Sequence, residues 1–296
     1  MPGCYEAGRP WQSRFDTSRN PFARRHVSHH AGSMANRATF DDLVAEGAAS
    51  STDGWDFSWL DGRATEERPP WGFVRILADR LGSAAAALDI QTGGGEVLAE
   101  ALANAPQLPA IRAATEGWGP NAAIAMRNLR PFGVSVEHSP AEGPFPFPDA
   151  SFDLVTSRHP VAVVWDEITR VLDMDGTYLA QHVGAGSNRE LTEFMMGPQA
   201  VSVARSPDTA VLLAESAGLV VVDLRQAVLR TEFYDIGAVT YFLRKVLWTV
   251  PGFTVEAYRD RLAALHEQIE REGPFVSHAT RYLIEARRIL TNRTRH

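Results

Sequence analysis

The residues with chemical potential stand where apolar runs give way to turns. Leu88 to Leu98 reads LDIQTGGGEVL: an apolar run ending in Asp89, a glycine turn at Gly93, Gly94 and Gly95, then a helical run. Glycines there let the backbone approach a ligand and present its N–H groups at the start of a helix. Two ligand classes use such a turn. A dinucleotide calls for G-x-G-x-x-G, whose third glycine would fall on Leu98, and its diphosphate would be repelled by an acid at the strand end. S-adenosylmethionine carries an ammonium and a sulfonium, so Asp89 favours it.

A second acid, Glu116, closes the next apolar run, 27 residues after Asp89. A carboxylate at that point accepts both ribose hydroxyls, which the two ligand classes share. Further along, His159 and His182 end two successive apolar runs. Ligands of α/β sheets bind at the carboxyl ends of strands, and imidazole titrates near neutrality, so His159 is the first and His182 the second candidate general base. Arg158 either fixes an acidic substrate or pairs with Glu142. Other catalytic patterns are missing: there is no G-x-S-x-G elbow, and His26, His29 and His30 have no carboxylate or cysteine spaced around them as metal partners. No metal site is expected.

The elements that must position these residues alternate. Strand-like AAAALDI, AIRAATE, VSVEHS, FDLVTS and TYLAQHV are separated by helical EVLAEALAN, NAAIAMRNL and AVVWDEITRVL. Short apolar strands between longer helices predict a parallel sheet covered on both faces. After Gly184 the pattern changes: RELTEFMMG and DTAVLLAESAGL read as helices, VVVDLRQAVLR as a strand, DIGAVTYFLRKVLW and VEAYRDRLAALHEQIERE as helices, and HATRYLIEARR as a C-terminal strand. The helices between residues 186 and 275 would form an insert or cap, or pack as ordinary cover on the sheet. The aromatics Phe233, Tyr234, Tyr241, Phe242, Trp248 and Phe253 in that region read mainly as core.

Four segments, LDIQTGGGEVL, ATEGWGPNAAIAMRNL, AEGPFPFPDASFDLVTSRH and EITRVLDMDGTYLAQHVG, together resemble class I S-adenosylmethionine-dependent methyltransferases of the small-molecule, type 11-like kind. The resemblance spans residues 80 to 185, about a third of the chain. It implies a Rossmann-like, doubly wound α/β fold with a mostly parallel sheet, an antiparallel C-terminal strand at Ala279 to Arg287 and a helical insert. It also implies that Asp89, Gln91 and the backbone of Thr92, Gly93 and Gly94 hold the methionine end of the cofactor. Glu116 would take the ribose with Gly117 and Trp118 nearby, Ala141 and Glu142 would flank the adenine, and Ser157, Arg158 and His159 would face the methyl group. Two positions depart from the family pattern: Gln91 stands for its first glycine, and Pro140 for the acid before the Ala-Glu pair. Gln91 would either crowd the methionine moiety or hydrogen-bond its carboxylate.

Composition bounds the remaining choices. With 296 residues, 45% hydrophobic and 22% charged, the chain reads as a soluble globular protein, and no apolar run approaches the roughly 18 residues of a membrane span. One cysteine, Cys4, and the absence of an apolar secretory leader predict a cytoplasmic location without a membrane partner. Residues 1–40 carry six Arg against Glu6 and Asp16, a net +4, which leaves -11 for the rest of a chain whose total is -7. An acidic body disfavours a nucleic-acid partner. The expected organisation is a flexible basic arm over 1–38 and one methyltransferase domain over 39–296, divided into a helical cover (39–80), a cofactor core (81–185), an insert with a late strand (186–275) and a C-terminal strand (276–296). Its expected activity is methyl transfer to an O or N atom of a small molecule. The alternatives are a protein that binds S-adenosylmethionine without transferring methyl, and an RNA methyltransferase.

Overall fold

The computed structural model describes residues 38–52 and 57–289. The basic arm, apart from Ala38, therefore lies outside the described residues, with Cys4, His26, His29 and His30, and so does Trp55. Helix α1 (Phe40–Ala49) starts at a capping box in which the Thr39 hydroxyl accepts from the Asp42 N–H and the Asp42 carboxylate accepts from the Thr39 N–H. Such reciprocal capping satisfies two otherwise orphaned donors. Between α1 and α2 (Phe73–Leu81), where helical cover was expected, a short edge strand β1 (Ala64–Glu66) intervenes.

From there the alternation runs as its pattern demands: β2 (Ala86–Asp89), α3 (Glu96–Asn104), β3 (Ile111–Glu116), α4 (Gly119–Leu129), β4 (Ser135–His138), β5 (Phe152–Arg158), α5 (Trp165–Val171) and β6 (Leu172–Val183). The later elements are α6 (Arg189–Met196), α7 (Pro207–Ser216), β7 (Val220–Phe233), α8 (Ile236–Lys245), α9 (Arg259–Glu272) and β8 (Phe275–Arg287). One sheet holds all eight described strands in the order β1-β7-β8-β6-β5-β2-β3-β4. The pairs β2·β3, β2·β5, β3·β4 and β5·β6 are parallel, whereas β8 runs antiparallel to both β6 and β7, and β1 antiparallel to β7.

The chain leaves β2 toward β3 and β4 on one side, then returns to lay β5 and β6 on the other. Strand order reverses between β2 and β5, and in open α/β sheets that reversal opens a crevice at the carboxyl ends of the strands. Both faces are covered, which is why the central strands are apolar throughout. On one face Leu77, Leu81, Leu98, Leu102 and Leu129 pack on Leu154, Leu179 and Leu283; on the other Ile168, Val171 and Ala214 pack on Val155, Tyr178 and Ile284. Each fully buried Leu or Ile contributes about 1.5 to 3 kcal/mol.

A third core gathers α1, α6, α8 and α9 against Phe233 and Phe275 at the ends of β7 and β8. Phe233, Tyr241 and Phe242 are buried there, Phe253 packs against it, and Tyr234 and Trp248 are partly exposed. No helix among the described residues is long and apolar enough to cross a membrane.

Candidate functional site

The glycine turn follows directly from Asp89. Gly93 and Gly95 sit at φ +64° and +77°, in the left-handed region that costs glycine nothing. A Cβ at Gly95 would lie 2.8 Å from the Leu129 side chain, so glycine also lets α3 pack closely on the end of α4. Asp89 itself is 8% exposed and accepts a 2.6 Å hydrogen bond from the Thr156 hydroxyl. Burial pushes its carboxyl up to about 6, the Thr156 bond opposing the shift and the charge of Glu116 adding to it. The buried Thr92 hydroxyl lies beside it and also opposes the shift.

Glu116 is held from two sides. Its carboxylate accepts the Gly93 N–H at 2.8 Å and the Trp118 N–H at 2.9 Å, one bond on each oxygen. A carboxylate has about four lone-pair sites, so each oxygen keeps acceptor capacity. Trp118 is 48% exposed. At Gly117 a Cβ would meet the Ser139 carbonyl at 2.9 Å, which brings the end of β4 against the end of β3. Ala141, half-buried, and Glu142, exposed, follow on that rim.

Gln91 takes φ +55°, an uncommon conformation for a residue with a side chain. Its amide reaches across the switch point. Nε2 donates to the Ala162 carbonyl at 2.6 Å, and Oε1 accepts from the Val161 N–H at 2.7 Å, so one side chain bridges the loops that leave β2 and β5. The two readings from sequence gave this side chain a ligand to crowd or to bind. Its partners in the fold are the backbone groups of the opposite loop.

The end of β5 is a chain of neutral hydrogen bonds. Ser157 is fully buried and donates to the Ile90 carbonyl at 2.8 Å, so its hydroxyl is turned to the β2 turn and not to an open methyl site. The buried Trp71 ring donates Nε1–H to Gln181 Oε1 at 2.8 Å, and Gln181 Nε2 lies 3.0 Å from His159 Nε2. Trp Nε1 can only donate, which fixes the orientation of the Gln181 amide; its NH₂ must then donate to His159 Nε2, leaving the imidazole proton on Nδ1. His159 sits at φ +57° with its N–H on the Gln181 carbonyl at 2.7 Å. Burial, then the charges of Arg158 and Arg281, hold its pKa well below the usual imidazole range.

His182 is enclosed. It is 4% exposed, stacks on Tyr282 with ring centroids 4.7 Å apart, and meets the Tyr178 hydroxyl at 3.2 Å through Nε2. Desolvation lowers its pKa to about 3, with Arg205 adding to the effect. Arg158 is exposed and makes no hydrogen bond or ion pair among the described residues, with Glu142 or any other acid. Among the described residues no group of three or more His, Cys, Asp or Glu is placed to hold a metal ion.

No family model and no curated protein matches the chain in sequence. Solved structures do match. The YcgJ protein of Bacillus subtilis superposes with a TM-score of 0.53 at 18% identity, covering 74% of this chain and 98% of that one. An S-adenosylmethionine-dependent methyltransferase from Mesorhizobium loti gives 0.43 at 12% identity over 74% and 97%, and the [4+2]-cyclase SpnF gives 0.46 at 18% over 85% and 93%. The fold is the Rossmann-like α/β fold seen in methyltransferase structures.

Within this methyltransferase fold, Asp89, Gln91, Thr92, Gly93, Gly94, Glu116, Gly117 and Trp118 come together at the ends of β2 and β3, and Ala141 and Glu142 follow at the end of β4. Arg158 and His159 stand one strand away on the other side of the switch point. Ser157 and His182 point into packing. Trp71 and Gln181, which fix the state of His159, had no place among the sequence candidates. Gln181 carried a signal, a polar amide inside the apolar strand TYLAQHV; Trp71 carried none that separated it from neighbouring tryptophans.

Proposed function

We propose that the chain is an S-adenosylmethionine-dependent methyltransferase acting on an O or N atom of a small molecule. The observation that supports it most is the pair of buried carboxylates, Asp89 and Glu116, at the ends of adjacent strands on either side of a glycine turn. The donor set suits the cofactor: Glu116 has free acceptor capacity for ribose hydroxyls, and Asp89 would meet the ammonium, a cation that relieves the cost of its burial. For the methionine tail to lie between the loops after β2 and β5, the Gln91 amide must leave Val161 and Ala162.

Bound there, the cofactor supplies a carbon activated by sulfonium, open to in-line attack by a lone pair. What the chain does is align the acceptor and keep water out. His159 offers the Nδ1–H and not a free lone pair, so it positions an acceptor by donating a hydrogen bond. His182 is too enclosed to exchange protons with an acceptor. The site therefore suits an atom that needs no side-chain base, such as a neutral amine or an oxyanion.

A second reading, cofactor binding without transfer, is favoured by the Gln91 bridge. Calorimetric titration with S-adenosylmethionine and S-adenosylhomocysteine, followed by transfer of labelled methyl to a panel of amines and acids, separates the two. Micromolar binding with turnover supports the first, and binding with no turnover across the panel supports the second. Binding of RNA that falls steeply with salt would instead point to the nucleic-acid alternative. Absence of any nucleoside binding would remove the proposal.

A further inference from the structure

Several arginines of the fold are paired with acids. Arg281 bonds Glu66 at 2.8 Å, Arg63 bonds Asp235 at 2.7 Å and Glu46 at 3.0 Å, and Arg80 bonds Glu285 at 2.9 Å. Arg158, exposed at the end of β5, has no ion pair or hydrogen bond among the described residues. Partial desolvation and then the nearby charge of Arg281 lower the guanidinium pKa, opposed by the charges of Glu66, Glu100 and Glu96.

Its place in the register is specific. Arg158 lies opposite Gln181 on β6 and two residues beyond Thr156, which pairs with Asp89, so all four share one face of the sheet. With the nucleoside over β2 and β3, the end of β5 lies on the side away from Glu116, where a methyl acceptor would enter. Beside it the His159 Nδ1–H, left free by the Gln181 bond, adds a second donor. A planar guanidinium pairs with a carboxylate through two parallel hydrogen bonds and is the side chain best suited to that geometry.

We infer that Arg158, with the His159 Nδ1–H beside it, anchors a carboxylate on the methyl acceptor. This rests on the nucleoside placement proposed above.

The test uses the full-length chain with benzoate as the anionic probe and benzamide as its uncharged isostere, each titrated with and without saturating S-adenosylhomocysteine. The expected result is benzoate binding at least tenfold tighter than benzamide, a loss of at least tenfold in Arg158→Gln, partial retention in Arg158→Lys, and unchanged affinity for S-adenosylhomocysteine in both variants. Thermal unfolding of the variants at the parental temperature establishes that they fold. Equal binding of benzoate and benzamide overturns the inference. So does a tenfold loss of S-adenosylhomocysteine affinity in Arg158→Gln with 5′-methylthioadenosine unaffected, because the carboxylate would then be the cofactor's own. If the parent binds no nucleoside yet prefers benzoate through Arg158, the anchor stands and the methyltransferase reading fails.

Discussion

Two ends of one crevice are built on opposite terms. At β2 and β3 the side chains are acids, and the partners of Glu116 are backbone N–H groups of the turns that follow each strand. At β5 and β6 the side chains are an indole, an amide and an imidazole linked donor to acceptor, beside an unpaired cation. The first is held by turn N–H groups and by the Thr156 hydroxyl of the neighbouring strand, 67 positions from Asp89. The second depends on residues 110 positions apart, from Trp71 to Gln181. The acids of the first end are marked by short strand-end motifs, while the second end is marked by none.

The comparison breaks first at Glu116. Glu116→Ala removes the acceptor for two turn N–H groups and for a ribose, and affinity for S-adenosylhomocysteine is expected to fall about a hundredfold, or about 2.7 kcal/mol. Calorimetry giving parental affinity would displace the nucleoside from β3.

Asp89 comes next, through pH. Its carboxyl titrates near 6 in the folded chain against the ordinary 3.8, so the folded state holds a proton that the unfolded state has released between those values. The associated stability is present below the unfolded pKa and is lost as pH rises through 6. Asp89→Asn, which stays neutral, should exceed the parent by about 2 to 3 kcal/mol at pH 7.5 and by less than about 1 kcal/mol at pH 4 in urea unfolding. A pH-independent difference would mean that Asp89 is not the group responsible.

On the other side, Trp71→Phe leaves the Gln181 carbonyl oxygen without its donor and frees the amide to turn. A loss of about 1 to 2 kcal/mol is expected. The imidazole ¹⁵N shifts of His159 should also move from a single Nδ1-protonated form toward a mixture of tautomers; unmoved shifts would show that the indole does not set the ring.

Gln91→Gly has the smallest effect. It relieves a left-handed side-chain residue at about 1 kcal/mol and opens the bridge, at the loss of two hydrogen bonds, and affinity for S-adenosylhomocysteine is expected to rise about three- to tenfold. Weaker binding would make the bridge part of the ligand site.

Much of the architecture was legible because burial on both faces writes itself as apolar strands, and a strand-end acid before glycines is a local signal. Asp89 and Glu116 meet because their strands pair in parallel with Asp89 opposite Ala114, two residues short of Glu116. The strand β1 was not legible: three residues, Ala64–Glu66, carry no periodicity, and their pairing with Thr231 to Phe233 is a tertiary event. β8 also begins at Phe275, earlier than the expected Ala279, because β7 extends to Phe233 and offers it a partner. The bond from Trp71 to Gln181 was invisible for the same reason, since neither residue is marked by spacing. Gln91 was singled out, but only as a ligand contact, because nothing local reveals that Val161 and Ala162 face it.

The small edge strand β1 has one more effect. Only four residues separate Glu66 from Trp71, so the pairing of Ala64–Glu66 with β7 tethers the indole near Gln181 at a high effective concentration, and ordering it there costs little additional entropy. A proteolytic nick between Glu67 and Pro70 would sever that leash without touching the crevice, and the imidazole at its far end would lose its fixed proton.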